Sequence, residues 1–276
     1  MSDLVIFSDA GIDDLFAIEF LIKNNYPIKA VVASAGNGCS KRAYDVLSYF
    51  FRNHAKIYLG KASNEKTHKI HEAIESLSIP KSKKYLSFFA NIDTIFETPV
   101  KIISLAPLRD VATIIENRNI KNMLIMGGNY NISGNDNFYS EYNFSTDSNS
   151  ARIVISSPIE KMIIPLDVTS KLRFTKEHLG IVNNKELKEL SNKLLKHYFL
   201  LGENSIPLHD LTAVMFLSNP DCYLIKFRHC EILIDGASKG KLVCDEHRYE
   251  RKKSNSMLAF DIETTPLHYK FVGVFK

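Results

Sequence analysis

From residue 4 to residue 165, short apolar runs alternate with helical patterns, and this alternation constrains the fold more than any other feature of the chain. Leu4-Val5-Ile6-Phe7, Ile28 to Ala33, Lys56 to Leu59, Val100 to Leu105, Asn122 to Met126 and Lys161 to Pro165 read as buried strands. Between them, Asp13 to Lys23, Lys41 to Phe51, Leu108 to Glu116 and Ser148 to Ser156 carry helical spacing, with Leu15, Ile18 and Ile22 on one face of the first. Strands joined through single helices require right-handed crossovers, so the pattern predicts an α/β fold: an open, mostly parallel sheet with helices on both faces. Beyond about Ile225 the pattern becomes strand-rich. Glu231 to Ile234, Lys241 to Cys244, Met257 to Asp261 and Tyr269 to Val274 predict a small antiparallel strand appendage. With 45% hydrophobic residues and no linker or repeat, residues 1–276 read as one domain.

Several function classes are excluded at this level. No stretch approaches the roughly 20 consecutive apolar residues of a membrane span, and Met1-Ser2-Asp3-Leu4 opens no secretory signal. The four cysteines, Cys39, Cys222, Cys230 and Cys244, form no CxxC pair and read as reduced thiols of a cytoplasmic protein. The net charge of +4 is spread along the chain; Lys81-Ser82-Lys83-Lys84 and Arg248 to Lys253 read as solvated runs rather than a nucleic-acid surface. The chain contains no Trp, so any platform for an aromatic ligand must use Tyr, Phe or His.

In parallel sheets, ligand sites collect at the carboxyl ends of the strands. The first strand ends in Ser8-Asp9-Ala10-Gly11-Ile12-Asp13-Asp14, three carboxylates within six residues that repel unless a cation or protons compensate. Such hard oxygen ligands suit Ca²⁺ or Mg²⁺, although Asp13 as a helix cap and Asp9 in a turn would explain the same residues. The second strand ends in the polar turn Ala35-Gly36-Asn37-Gly38, by itself an ordinary glycine-rich loop. After the fifth come Met126-Gly127-Gly128-Asn129, Gly134-Asn135-Asp136 and Ser140-Glu141-Tyr142-Asn143, a polar run too long for a simple connection. His209-Asp210 precedes the apolar stretch Leu211 to Leu217, where Asp210 is also a good helix cap.

Together these residues resemble the nucleoside hydrolases of the inosine–uridine preferring type. The family's opening signature is Asp-x-Asp-Pro-Gly-x-Asp-Asp, of which Phe7 to Asp14 keeps the second Asp, the Gly and the final pair. Ala35-Gly36-Asn37, Leu105-Ala106-Pro107-Leu108, Met126-Gly127-Gly128, Gly134-Asn135 with Glu141-Tyr142-Asn143, Leu166-Asp167-Val168-Thr169 and His209-Asp210 follow in the family's order. The resemblance implies hydrolysis of the N-glycosidic bond of a ribonucleoside, a pyrimidine nucleoside or inosine, to ribose and free base. It implies Ca²⁺ held by Asp9, Asp14, Asp210 and the carbonyl of Leu105, with Asp9 as general base. Asp13 and Asn143 would hold the ribose 2′- and 3′-hydroxyls, Asn135 and Glu141 would reach the 5′ side, Asn37 would lie near water and sugar, and Met126 would pack on the ribose. His209 would donate a proton or a polar contact to the base. The partner implied is a small-molecule nucleoside, with no nucleic acid and no membrane, and a homo-oligomer is common in the family.

The chain also departs from the pattern. Phe7 and Ala10 stand where the signature has Asp and Pro. After Gly60 the family's flexible His-Gly loop is replaced by Lys61 to Lys84, lysine-rich and helical in pattern, where His68, His71 or Tyr85 are the substitutes on offer for a lid. Tyr198 and Phe199 are candidate base contacts. Without a working lid, the alternative is a non-catalytic nucleoside- or ribose-binding protein. A phosphate-handling hydrolase built on the N-terminal Asp cluster is a third reading, disfavoured because its paired aspartates are lacking around Asp9.

Overall fold

The computed structural model describes residues 2–62, 72–75, 77–245 and 252–276. Its centre is an eight-stranded sheet in the order β3-β2-β1-β4-β5-β6-β12-β9. These strands are β1 (Asp3–Ser8), β2 (Ile28–Ala33), β3 (Ile57–Leu59), β4 (Val100–Ser104), β5 (Ile120–Met126), β6 (Lys161–Ile164), β9 (Tyr223–Arg228) and β12 (Ser256–Ile262). Every neighbouring pair is parallel except β12 with β9, as the alternation of strands and helices predicts. Two small antiparallel pairs complete the strands: β7 (Arg173–Thr175) with β8 (Ser205–Pro207), and β10 (Cys230–Ile232) with β11 (Leu242–Cys244).

The sheet divides the core into two layers by strict alternation. Leu4, Ile6, Val31, Ala33, Leu124 and Met126 face one layer; Val5, Phe7, Ala30, Val32, Met123 and Ile125 face the other. A one-residue slip would exchange the two sets. Each fully buried side chain of this kind contributes about 1.5–3 kcal/mol relative to exposure, so the register is strongly specified. The first layer carries the helices Ile12–Lys23, Ser40–Phe51, Lys185–Leu200, His209–Met215 and Thr264–Phe275.

Two expectations for the C-terminal region change. Met257 to Asp261 is a strand, but it inserts into the main sheet, with Met257 opposite Met162 of β6, rather than joining the appendage. Tyr269 to Val274 is helical, within Thr264–Phe275. Leu267, Phe271 and Phe275 are its buried residues, four apart, and Phe271 stacks on Phe16 at 6.3 Å. The alternation Tyr269-Lys270-Phe271 imitates a strand, whereas the period of the buried residues is that of a helix.

Candidate functional site

Strand order reverses between β1 and β4, which open a crevice at their carboxyl ends. Asp9 follows β1 there, and Leu105 follows β4 with its N–H donating to the Phe7 carbonyl at 2.9 Å. Asn37 comes from the turn after β2, Met126 closes β5, and the long loop after β5 supplies Asn135, Glu141, Tyr142 and Asn143. His209 and Asp210 begin the helix after β8. Asp9, Asp13, Asn37, Leu105, Met126, Asn135, Glu141, Tyr142, Asn143, His209 and Asp210 line one cavity of about 360 Å³. Cavities of about 450 and 530 Å³ open elsewhere, but neither gathers more than one carboxylate.

Local chemistry explains how each group is held. Asp9 is buried, and its two carboxylate oxygens accept from the backbone N–H and the side-chain amide of Asn37, both at 2.8 Å. Gly36 permits that approach, since a Cβ there would lie 2.0 Å from Asp9 Oδ2. Gly11 caps the first helix by donating its N–H to Asp14 Oδ2 at 3.0 Å. Ala10 has φ 63°, a left-handed conformation that the ring of a proline cannot reach. The family's Pro is therefore incompatible with the turn this chain adopts. Phe7, standing for the signature's first Asp, points away from the crevice and packs edge-on against Phe88 at 5.5 Å.

Asp13, Asp14 and Asp210 each place a carboxylate oxygen within 4.8 Å of the others. The expected ligand set named Asp9 with Asp14 and Asp210; the trio that meets within 4.8 Å has Asp13 instead, and Asp9 adjoins it through the Asp14 carboxyl. Oδ1 of Asp14 and Oδ1 of Asp210 are buried with no hydrogen-bond partner. Burial pushes Asp9 up to about 6, against the lowering effect of its bonds to Asn37. Asp14 and Asp210 are also raised, by burial first and then by neighbouring aspartates. Two orphaned buried oxygens inside a mutually repelling carboxylate cluster fit a hard divalent cation, which would supply their missing partner. Leu105 lines the same cavity, and its carbonyl accepts from Asn143 Nδ2 at 3.3 Å, as does the Met126 carbonyl at 3.2 Å.

Other motif residues act as supports. Asp167 accepts from the N–H groups of Tyr130, Asn131 and Ile132 at 2.9, 2.8 and 3.1 Å, pinning the start of the long loop. Thr169 Oγ1 lies 2.8 Å from His209 Nδ1, which leaves Nε2 as the ring nitrogen available to a ligand. Burial lowers the His209 pKa, so the neutral imidazole is favoured. Glu141 lines the cavity, yet Oε1 accepts from the Asn143 N–H at 2.8 Å and Oε2 from Gly128 at 2.7 Å and Phe144 at 3.2 Å. Burial raises its pKa to about 7 despite those three donors. Asn135 fixes the Tyr142 N–H at 2.9 Å.

A smaller cavity of about 150 Å³ adjoins Asp13, Asn37 and His209 and is walled by Ile74, Leu194, Tyr198 and Pro207. Tyr198 therefore reaches the site, whereas Phe199 is 65% exposed and lines neither cavity. Ile74 was not legible as a site residue. It comes from the lysine-rich segment, where Glu72–Glu75 is helical and Glu75 pairs with Arg42 at 3.1 Å. His68 and His71 lie outside the described residues, as do residues 248–251 of the second basic run. Tyr85 packs on Tyr44 at 5.0 Å, away from both cavities.

Fold and cavity together define an α/β protein with an acidic crevice at the carboxyl ends of its parallel strands. The family model for inosine-uridine preferring nucleoside hydrolases matches residues 4–268, and the chain belongs to this family. Among curated relatives, the pyrimidine-specific ribonucleoside hydrolase RihB of Shigella flexneri is 27% identical over 188 residues, 63% of this chain and 60% of the relative. The same enzyme of Escherichia coli O17:K52:H18 matches over the same shares with the same identity. The match thus spans about 60% of the length of these relatives. Among solved structures, a plant nucleoside hydrolase, PpNRh1, superposes with a TM-score of 0.88 at 18% identity, covering 99% of this chain and 98% of that one. A purine-preferring ribonucleoside hydrolase from Gardnerella vaginalis gives 0.84 at 19% identity with the same coverage. Both establish the fold. Among the described residues no helix is long and apolar enough to cross a membrane.

Proposed function

We propose that this chain hydrolyses the N-glycosidic bond of a ribonucleoside, a pyrimidine nucleoside or inosine, with Ca²⁺ as its cofactor. The observation that carries the reading is the meeting of Asp13 and Asp14 with Asp210, nearly two hundred residues later, around buried oxygens that lack partners. Asp14, Asp210, the Leu105 carbonyl and the adjoining Asp9 would hold the cation. When bound, it lowers the pKa of a coordinated water and opposes the carboxylates' mutual repulsion.

The chain's own residues account for the remaining chemistry. Departure of the base leaves a ribosyl group with oxocarbenium character, which a carboxylate-rich crevice stabilises. Asp9, fixed through both oxygens by Asn37, accepts the proton of the attacking water. Asp13 and Asn143 hold the ribose 2′- and 3′-hydroxyls against Met126, and Asn135 and Glu141 bound the 5′ side. In this reading the neutral His209 ring carries its proton on Nε2 and presents it to the leaving base, while Nδ1 accepts from the Thr169 hydroxyl 2.8 Å away. His209 and the absence of Trp favour a pyrimidine or hypoxanthine base over a purine held between indoles. Residues 1–276 act as one domain in this reading, and the four thiols suit a cytoplasmic setting.

The test is incubation with uridine, cytidine and inosine, with calcium or with chelator, reading reducing sugar. Release that requires the cation is expected. No release from any of the three with calcium present refutes hydrolysis. Thermal stabilisation by ribose without turnover would establish the binding-protein reading instead.

A further inference from the structure

Cys230 and Cys244 lie directly opposite each other in the β10–β11 ladder. The hydrogen bonds around them identify the type of pair. The Cys230 N–H donates to Asn255 Oδ1 and its carbonyl accepts from Asn255 Nδ2, both at 2.9 Å, so both backbone groups point away from β11. The bonded pairs flank this position: the Asp245 N–H donates to the His229 carbonyl on one side, and the Leu233 N–H to the Lys241 carbonyl on the other, both at 3.1 Å. Cys230 and Cys244 are therefore a non-hydrogen-bonded antiparallel pair, whose Cα atoms sit about 4.5 Å apart with side chains on the same face. A disulfide spans Cα separations of about 4.4–6.8 Å, so this pair closes without moving either strand far. Both are thiols in this structure.

We propose that Cys230 and Cys244 form an oxidative modification site, a cross-strand dithiol that exchanges with low-molecular-weight disulfides of the glutathione type. Cys244 is partly exposed and Cys230 is fully buried, which sets the order of events. The Cys244 thiolate attacks one sulfur of the external disulfide, forming a mixed disulfide and expelling one external thiolate. Cys230 then loses its proton and attacks the Cys244 sulfur, expelling the second. Two protein thiols become one disulfide, and one external disulfide is reduced to two thiols. Burial, and after it the neighbouring Cys244, push the Cys230 thiol up to about 12, which disfavours it as the first attacker and leaves that step to the more exposed Cys244. The charge of Lys161, anchored on the carbonyls of Ser157 at 2.8 Å and Asn255 at 3.1 Å, favours its thiolate.

The position of the hairpin gives the modification a structural consequence. Gly240 packs so closely that a Cβ there would lie 2.4 Å from Ser145 Cα, and Leu242 abuts Gly128. Lys241 Nζ donates to the Ile132 carbonyl at 3.3 Å and Ser140 Oγ to the Ser238 carbonyl at 3.5 Å. Oxidation thus staples the hairpin that braces the loop bearing Asn135, Glu141 and Asn143.

The test uses the full chain carrying Cys39→Ser and Cys222→Ser, equilibrated across ratios of oxidised to reduced glutathione, quenched and mapped by mass spectrometry. The expected product is a Cys230–Cys244 linkage, lighter by two hydrogens, whose yield is independent of protein concentration and whose formation raises the thermal midpoint. Adding Cys230→Ala should leave a stable glutathione adduct on Cys244, and a melting curve confirms that this variant folds. Thiols that stay reduced at every ratio, adducts that never resolve with both cysteines present, or linkages only between chains would each overturn the proposal.

Discussion

Asp210→Asn separates the two roles of the carboxylate cluster. Two unit charges 4.8 Å apart repel by about 3.5 kcal/mol at an effective dielectric of about 20, and Asp210 faces both Asp13 and Asp14 within that distance. Protonation offers the cluster an escape, and Asp210 already has a raised pKa, so only part of that repulsion survives at pH 8. Losing a negative charge in the first turn of the helix His209–Met215 costs about 0.5 kcal/mol, too little to reverse the sign. A net gain of about 1–3 kcal/mol remains, which for a chain of this size moves the melting midpoint by roughly 2–6 °C. In chelator at pH 8, the variant should therefore melt above the wild type. With calcium at about 100 times its dissociation constant, the wild type gains about 2.7 kcal/mol and the variant less than half of that. Differential scanning calorimetry in the two buffers reads both effects. A variant that melts lower in chelator, or that gains as much from calcium as the wild type, would refute the idea that these carboxylates wait for a cation.

Three further outcomes follow from the same geometry. Gly36→Ala places a methyl 2.0 Å from Asp9 Oδ2; it should cut turnover by about a hundredfold or more while the circular dichroism spectrum stays native. Thr169→Val removes the partner of His209 Nδ1 and should lower kcat about tenfold, with calcium affinity unchanged in a titration. Because Glu141 is raised to about 7 in the fold, its contribution to stability is fully present below about 4.5 and is lost as pH rises through about 7. Glu141→Gln should flatten that part of a stability–pH curve, while costing about 1–2 kcal/mol for the Asn143 N–H that its amide nitrogen cannot serve.

What the sequence by itself determined is whatever depends on local period and short-range chemistry. The alternation of runs from Leu4 to Ile164 dictated the parallel sheet, since each strand carries its own burial signal and each crossover has one allowed hand. The block order from Asp9 to His209 named the residues of the crevice, and the structure brings Asp9, Asp13, Asn37, Leu105, Met126, Asn135, Glu141, Asn143, His209 and Asp210 to one cavity. Tertiary structure alone decided the rest. Tyr269 to Val274 alternates like a strand but became a helix, because burying Leu267, Phe271 and Phe275, the last two against Phe16, outweighs a local alternation. Asp13, Asp14 and Asp210 come within 4.8 Å of one another, while Asp9 is tied to Asn37, from another turn, through both its oxygens. Ile74 reaches the small cavity from the lysine-rich segment, where the sequence offered His68, His71 and Tyr85 as lid residues instead. Charge and period are properties of neighbours along the chain, whereas distances between residues 14, 74 and 210 exist only once the sheet has brought their loops together.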